Sequence, residues 1–197
     1  MMNPDVLVVG GGPGGAAAGY WLARRGLSVV VAEKKEYPRE KACGDGLTPR
    51  AIKQLLDMGF DFEGHHRIVG LRAYAGDTRL EMPWPEHSIY PNWGAVIRRT
   101  DLDMEVASLA EKQGASVLAG TEAVPVVDAD DLSAVRLMRK GEAVETIRPA
   151  MVVIADGSLS RFGRQLGMQR RKDYPFALAV RGYWESDNST DGYLESQ

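Results

Sequence analysis

The chain has 197 residues, 44% of them hydrophobic and 26% charged, with a formal net charge of −3 and one cysteine. This length and composition are typical of a globular protein with a substantial core, and the acidic balance excludes a general electrostatic attraction to nucleic acid. A single cysteine excludes an internal disulfide and favours a reducing, cytoplasmic compartment.

The N-terminal residues predict a strand–helix–strand unit. An apolar run over 5–9 indicates a buried strand, an alanine-rich stretch over 16–25 indicates a helix, and residues 27–33 indicate a second strand. About thirty residues is the usual size of such a unit. Glycines and a proline interrupt the first apolar stretch, so it is too short to span a bilayer, and we expect a soluble protein.

The rest of the chain mixes buried strands with alternating ones. In order, the pattern predicts a helix over 49–58, alternating strands over 68–82, a helix over 101–113, a meander over 124–145, a buried strand over 150–157, a short helix over 158–167 and an alternating strand from residue 174. This order indicates an α/β fold, with parallel winding interrupted by antiparallel strands.

A glycine motif, G-x-G-x-x-G, lies between the first predicted strand and helix. Gly10 permits a tight turn, Gly12 lets the backbone approach a diphosphate, and Gly15 lets the helix pack closely. The N-terminus of the helix attracts the phosphates. Glu33 ends the second strand, where it can accept a hydrogen bond from a ribose hydroxyl and would repel the 2′-phosphate of NADP. The motif predicts a dinucleotide site for FAD or NAD.

Three further stretches favour FAD. They are an Ala-Asp-Gly turn at 155–157, an R-x-x-L-D pattern from Arg99 to Asp103, and the loop EKACGDGLTPRA over 40–51 with the lone Cys43. With these features the chain resembles the p-hydroxybenzoate hydroxylase superfamily of flavoproteins. The stretch PREKACGDGLTPRA is similar to the geranylgeranyl reductase family, a branch that includes the actinobacterial menaquinone reductases.

The resemblance implies a Rossmann-like FAD-binding domain with antiparallel β insertions, followed by the start of a substrate-domain sheet. The FAD-binding domain is expected over 1–168, with a β excursion at about 68–95, and residues 169–197 are expected to begin a substrate domain that is cut short. Family members are about twice this length. We therefore expect an N-terminal half, which would bind FAD weakly or not at all alone.

The resemblance also implies where the cofactor binds. The glycine motif and Glu33 would hold the ADP half of FAD, and the Cys43 loop would lie along the flavin. Cys43 is also a candidate proton donor, with simple packing beside the flavin as the alternative. The implied cofactor contacts are Gly10, Gly12, Pro13, Gly14, Gly15, Glu33, Lys34, Ala42, Cys43, Gly44, Arg99, Asp156 and Gly157. No metal site is expected.

The implied activity is saturation of an isoprenoid C=C bond, in a menaquinone tail or a geranylgeranyl group, by hydride transfer from reduced flavin. NADPH or another donor would supply the electrons, outside the glycine-motif site. Two alternatives stay open: an FAD-dependent aromatic monooxygenase or halogenase, and an inactive truncated FAD-binding fragment. The expected partner is an isoprenoid lipid and not a nucleic acid. The expected location is cytoplasmic, and peripheral contact at the inner face of the cell membrane is left open. The identity of the isoprenoid substrate, the electron donor and the oligomeric state are also left open.

Overall fold

The structure is a computed structural model that describes residues 3–129, 131–169, 173–175, 177–185 and 191–196. The chain divides into two compact units, each made of two separate segments. The first unit combines Met1–Arg39 with Thr100–Ala177, and the second combines Glu40–Arg99 with Leu178–Gln197. The expected domain division between 168 and 169 stays a prediction.

The elements are labelled in chain order. The strands are β1 (Val6–Val9), β2 (Val29–Ala32), β3 (Gly46–Leu47), β4 (His66–Ile68), β5 (Gly70–Ala75), β6 (Thr78–Pro83), β7 (Gly94–Val96), β8 (Ser116–Leu118), β9 (Thr121–Asp128), β10 (Asp131–Arg139), β11 (Glu142–Ile147), β12 (Met151–Ile154) and β13 (Tyr193–Ser196). The helices are α1 (Pro13–Ala23), α2 (Pro49–Asp57), α3 (Arg99–Lys112) and α4 (Arg161–Gln165).

A parallel sheet forms the centre of the first unit, with strand order β12-β1-β2-β8. All four residues of β1 are buried, as expected for a parallel strand covered on both faces. Helix α1 connects β1 to β2 and packs closely on β2, because a Cβ at Gly19 would lie 2.7 Å from Val31 Cγ2. The predicted strand–helix–strand unit is therefore confirmed. The helix starts earlier than predicted because Pro13 is favourable in a first turn.

An antiparallel sheet of order β11-β10-β9 packs against this parallel sheet. Val135 and Leu137 of β10 share a buried cluster with Leu7 and Val9 of β1 and with Phe162 of α4. The predicted meander is confirmed, and so is the mixed α/β class.

The second unit contains two small sheets, of order β3-β7-β4 and β13-β5-β6. Ile52 of α2, Ile68 of β4 and Ala95 of β7 are almost completely buried and form its core. The alternating strand predicted from residue 174 is wrong for the described residues up to 185, where the structure has no strand. Leu178 and Val180 are 84% and 97% exposed, and a strand needs neighbours for its hydrogen bonds and its apolar face.

Arg72 of β5 connects the strands of the β13-β5-β6 sheet in the second unit. Its side chain is 5% exposed and lies against the ring of Tyr193. The guanidinium donates to Glu81 at 3.0 Å, to Glu195 at 2.6 Å and to both carboxylate oxygens of Asp191. One cation therefore pairs with three acids, which come from β6, from β13 and from the residues just before β13.

Arg72→Gln is expected to release β13 from β5. Backbone amides of residues 193–196 should then exchange with deuterium faster, on the order of tenfold, because the acids lose their shared charge-assisted donor. Arg79→Gln is the matched control, since Arg79 is 54% exposed and pairs only with Glu81 among the described residues. Equal effects of the two changes on these amides would contradict the assignment.

Candidate functional site

The glycine turn is determined by close backbone contacts. Gly10 has φ +98°, and a Cβ there would lie 2.5 Å from the carbonyl oxygen of Ala155. A Cβ at Gly15 would lie 1.8 Å from the carbonyl oxygen of Gly10. Neither position can take a larger residue without a backbone shift, and the glycines bring the ends of β1 and β12 together with the start of α1.

The N-terminus of α1 is open to a ligand. Gly12 caps the helix without a side-chain hydrogen bond, Pro13 follows it, and the first turn contains no acidic residue. Gly14 is exposed, and a Cβ there would meet no atom within 4 Å. Free N–H groups and the positive end of the helix dipole therefore face open space, an arrangement that fits the diphosphate of FAD.

Glu33 stabilises the loop around this turn. Its side chain is 7% exposed, and its carboxylate accepts hydrogen bonds from the N–H of Gly11 at 2.9 Å and from the N–H of Lys35 at 3.0 Å. The carboxylate that is predicted to bind the ribose therefore also connects β2 to the glycine turn. Its contact with a ribose stays a prediction.

A buried ion pair behind Glu33 was not predicted from the sequence. Arg39 lies 2.9 Å from Asp103 of α3 and 3.6 Å from Glu33, measured between nitrogen and oxygen. The side chain of Asp103 is 0% exposed and that of Arg39 10%. The available signal was an aspartate in the apolar stretch of α3, between Leu102 and Val106, which are both buried. The Arg39 guanidinium therefore contacts two carboxylates, that of Asp103 and that of Glu33.

Tyr37 closes the other side of the turn. Its hydroxyl donates to the carbonyl oxygen of Gly11 at 2.5 Å. Burial, reinforced by the negative charge of Glu33, raises the pKa of Tyr37 to about 12. A tyrosinate at this position would also lose its hydrogen bond to the Gly11 carbonyl.

The raised pKa of Tyr37 predicts a loss of stability in strong alkali. The folded state holds the hydroxyl proton more tightly than the unfolded state, whose tyrosine pKa is near 10. The contribution is therefore complete below about pH 10 and is lost as the pH rises toward about 12. Urea unfolding across this range should show the decrease in the wild type and a smaller one in Tyr37→Phe. If the free energy of unfolding changed with pH identically in the two proteins, the assigned role of Tyr37 would be contradicted.

The Asp-Gly turn after β12 also lies in the first unit. Asp156 accepts hydrogen bonds at Oδ2 from the N–H groups of Arg161 and Phe162, at 2.9 and 3.2 Å, and so caps α4. Its Oδ1 is buried and has no hydrogen-bond partner among the described residues. Gly157 has φ +92°, and a Cβ there would meet no atom within 4 Å. The exposed Gly157 therefore leaves room for a cofactor such as FAD to approach the backbone of this turn.

A cavity of about 430 Å³ lies at the carboxyl end of β2. It offers room and mainly positive charge beside the strand that ends in Glu33, so it could hold part of the adenosine end of a cofactor. Its lining residues are Lys34, Lys35, Gly120, Glu122, Met138, Lys140, Gly141 and Arg161.

The Cys43 loop belongs to the second unit, where Asp45, Arg181 and Tyr183 hold it. Asp45 is 5% exposed, has φ +57°, and accepts a hydrogen bond from the Tyr183 hydroxyl at 2.5 Å. Arg181 pairs with Glu40 and donates to the carbonyl oxygen of Lys41 at 3.0 Å. The loop is thus held on both sides of Cys43, which is itself half-buried.

The predicted site residues fall in both units. The first unit contains Gly10, Gly12, Pro13, Gly14, Gly15, Glu33, Lys34, Asp156 and Gly157, and the second contains Ala42, Cys43, Gly44 and Arg99. The contacts of all these residues with FAD stay predictions. Arg39, Tyr37 and Tyr183 were missed by the sequence reasoning, because each acts through a partner that the sequence pattern does not identify.

A parallel sheet with a glycine turn at a helix N-terminus, and an acid at the end of the second strand, defines the class of dinucleotide-binding α/β proteins. The family model described as FAD binding domain matches residues 3–180. The chain therefore belongs to this FAD-binding family, in agreement with the predicted fold class and with FAD as the predicted cofactor.

Several of the curated relatives are named as reductases. The chain is 38% identical to a menaquinone reductase from Mycobacterium tuberculosis over 98% of its own length and 47% of the relative's. It is 32% identical to a digeranylgeranylglycerophospholipid reductase from Thermoplasma acidophilum over 92% of its length and 47% of the relative's. The resemblance to geranylgeranyl reductases is therefore confirmed, and the chain spans about half the length of these relatives.

Solved structures show the same fold. A geranylgeranyl bacteriochlorophyll reductase-like protein from Thermoplasma acidophilum has a TM-score of 0.71 at 30% identity, covering 84% of this chain and 42% of that one. A myxobacterial chondrochloren halogenase has a TM-score of 0.72 at 21% identity, covering 80% and 38%, and this likeness concerns the fold alone. Among the described residues, no helix has the length and apolar character needed to cross a membrane.

Proposed function

We propose that the protein is an FAD-dependent reductase that saturates a C=C bond in an isoprenoid lipid. The observation that supports this most directly is the likeness, along nearly the whole chain, to a menaquinone reductase and to an archaeal digeranylgeranylglycerophospholipid reductase. Both relatives are named for reduction, and both names denote lipids with isoprenoid chains.

The residues at the glycine turn suit the binding of FAD. In the proposal, the α1 N-terminus holds the diphosphate, Glu33 accepts from the ribose, and the exposed Gly157 leaves room for the cofactor at the turn after β12. Bound FAD, once reduced by NADPH or another donor, supplies the hydride for one alkene carbon. The protein then has to deliver a proton to the other carbon and keep water away from the flavin.

Cys43 is the proposed source of that proton. It is half-buried in a loop that Arg181 and Tyr183 hold in place, so its thiol has a defined position. A thiol exchanges protons near neutral pH far more readily than an alcohol does.

Cys43→Ser is therefore expected to lower alkene reduction by about 100-fold or more, with flavin content unchanged. The measurement is single-turnover oxidation of the reduced flavin by substrate, with the flavin spectrum as the control for binding. An unchanged rate would remove Cys43 from the proton step while leaving the reductase proposal intact.

The activity itself is tested with lipid substrates. Purified protein, FAD and NADPH or a chemical reductant are incubated without oxygen with menaquinone or a geranylgeranyl lipid. Mass spectrometry should show a gain of two hydrogen atoms in the chain. Cells without the gene should lose that saturation, and unchanged lipids in both experiments would contradict the proposal.

An FAD-dependent aromatic monooxygenase or halogenase is the second candidate, because enzymes of this kind share the fold. Oxygen separates the two, because a reductase transfers hydride to substrate without oxygen and a monooxygenase consumes it. We further propose an isoprenoid lipid as the partner and the cytoplasmic face of the membrane as the place of contact. A flotation assay with lipid vesicles tests this contact.

A further inference from the structure

The second unit contains a small apolar cavity that no part of the proposed FAD site uses. It has a volume of about 250 Å³ and lies between the start of α2 and the loop after β6. Its apolar walls are Pro49, Trp84, Pro85, Tyr90 and Pro91. Proline and aromatic rings are rigid, and the rings of Trp84 and Tyr90 are also flat, so the walls favour a flat ligand over a flexible one.

The polar side chains in the lining include His87, Arg50 and Thr48, and the first two offer N–H donors. His87 Nδ1 accepts hydrogen bonds from the backbone N–H groups of Ile89 and Tyr90, at 3.0 and 3.3 Å. The neutral imidazole therefore has its proton on Nε2, which has no acceptor among the described residues. Arg50 lies 5.6 Å from the centre of the Tyr90 ring and has no acidic partner in the described part of the chain.

These features together select the chemistry of the ligand. Flat apolar walls with unpartnered donors, and no carboxylate in the lining, complement an aromatic ring with acceptor oxygens. A cavity below the usual range of roughly 300–1,000 Å³ admits one bicyclic ring and is too small for a polyprenyl chain. A quinone head group has this shape and these acceptors.

We propose that this cavity binds the quinone ring of a prenylated naphthoquinone, with His87 Nε2–H and Arg50 donating to a ring carbonyl. This inference rests on the proposed function and extends it, because it assigns a site to the part of the substrate that does not react. The double bonds along a polyprenyl chain are chemically alike. A ring held at one site distinguishes these otherwise alike double bonds by their distance from the ring.

The test uses menadione, which is the naphthoquinone ring without a prenyl chain. Titration into the protein should quench tryptophan fluorescence with saturation, and Trp84→Phe should remove the saturable part. Trp21→Phe is the matched control, since Trp21 lies on α1 in the first unit and should leave the saturation in place. Quenching that persists unchanged in Trp84→Phe would overturn the proposal.

A second variant tests the hydrogen bond and does not depend on the tryptophan. In His87→Asn the amide oxygen can replace Nδ1 as acceptor for the turn, while the Nε2–H donor is lost. The Kd for menadione, measured by calorimetry, should rise by about fivefold, the usual effect of one hydrogen bond. An unchanged Kd would overturn the proposed contact.

Two competitors distinguish other occupants. Farnesol provides a prenyl chain without a ring, and inorganic phosphate stands for a lipid head group. Neither should displace menadione, and displacement by either would overturn the choice of a quinone. Because binding is measured without FAD or turnover, failure here is separable from failure of the proposed function. A protein that saturates prenyl chains but ignores menadione contradicts only the cavity, and one that binds menadione without ever reducing a chain contradicts only the reductase.

Discussion

Gly15→Ala is expected to destabilise the protein by more than about 4 kcal/mol, a loss that few single substitutions produce. The added methyl would lie 1.8 Å from the carbonyl oxygen of Gly10, far inside van der Waals contact. Relief requires α1 to move away from β1, which disrupts the close packing at Gly19 on β2. Urea unfolding should show a lower midpoint or no folded protein.

Gly14→Ala is the matched control, one residue away in the same first turn. Its methyl would meet nothing within 4 Å, and alanine is a better helix former than glycine. Its free energy of unfolding should therefore be unchanged or slightly higher, even though FAD binding at this turn could weaken. Equal destabilisation by the two changes would show that glycine is required for a reason other than the contact with Gly10.

Arg39→Met is expected to destabilise the protein by about 3–5 kcal/mol, because it removes the cation that lies 2.9 Å from the fully buried carboxylate of Asp103. The double variant Arg39→Met/Asp103→Leu should regain a large part of this loss, since buried ion pairs are often replaceable by apolar residues of similar size. Glu33 would still lack its neighbour at 3.6 Å, so recovery is expected to be incomplete. Chemical unfolding of the single and double variants gives the coupling free energy between Arg39 and Asp103.

Lys53→Met provides the comparison for this ion pair. Lys53 pairs with Asp57 at 2.6 Å on α2, and both side chains are about one-third exposed. Its removal should cost less than about 1 kcal/mol. A double variant at positions 39 and 103 that is no more stable than Arg39→Met alone would mean that Arg39 acts mainly through Glu33.

The sequence predicts local features of this fold well. The glycine motif, the buried β1 and β2, and the meander in 124–145 depend on residues near one another, whose periodicity and turn chemistry are visible in the chain. The predicted start of α1 was too late, because glycines lower helix propensity. In the structure, a glycine is required at position 15 of this helix by the close contact with the carbonyl oxygen of Gly10.

Contacts between distant residues could not be predicted in the same way. Arg39 and Asp103 meet only because α3 packs in the first unit, and a pattern search has no reason to pair them. The prediction of a strand after residue 174 was wrong for a related reason. Alternation of apolar and polar residues indicates which residues could form a strand, but not whether a neighbouring strand is available for pairing. Instead, Tyr193–Ser196 pairs in parallel with β5, and Arg72 pairs with the nearby acids.

The position of β12 has a consequence for synthesis of the chain. β1 leaves the ribosome long before β12 (Met151–Ile154), which is one of its two neighbours in the sheet. Until that strand arrives, an apolar strand keeps an open edge, which is the kind of surface that pairs with other chains. Closing so long a loop is slow. Nascent or truncated chains that end before Ile154 are therefore expected to aggregate or to need a chaperone.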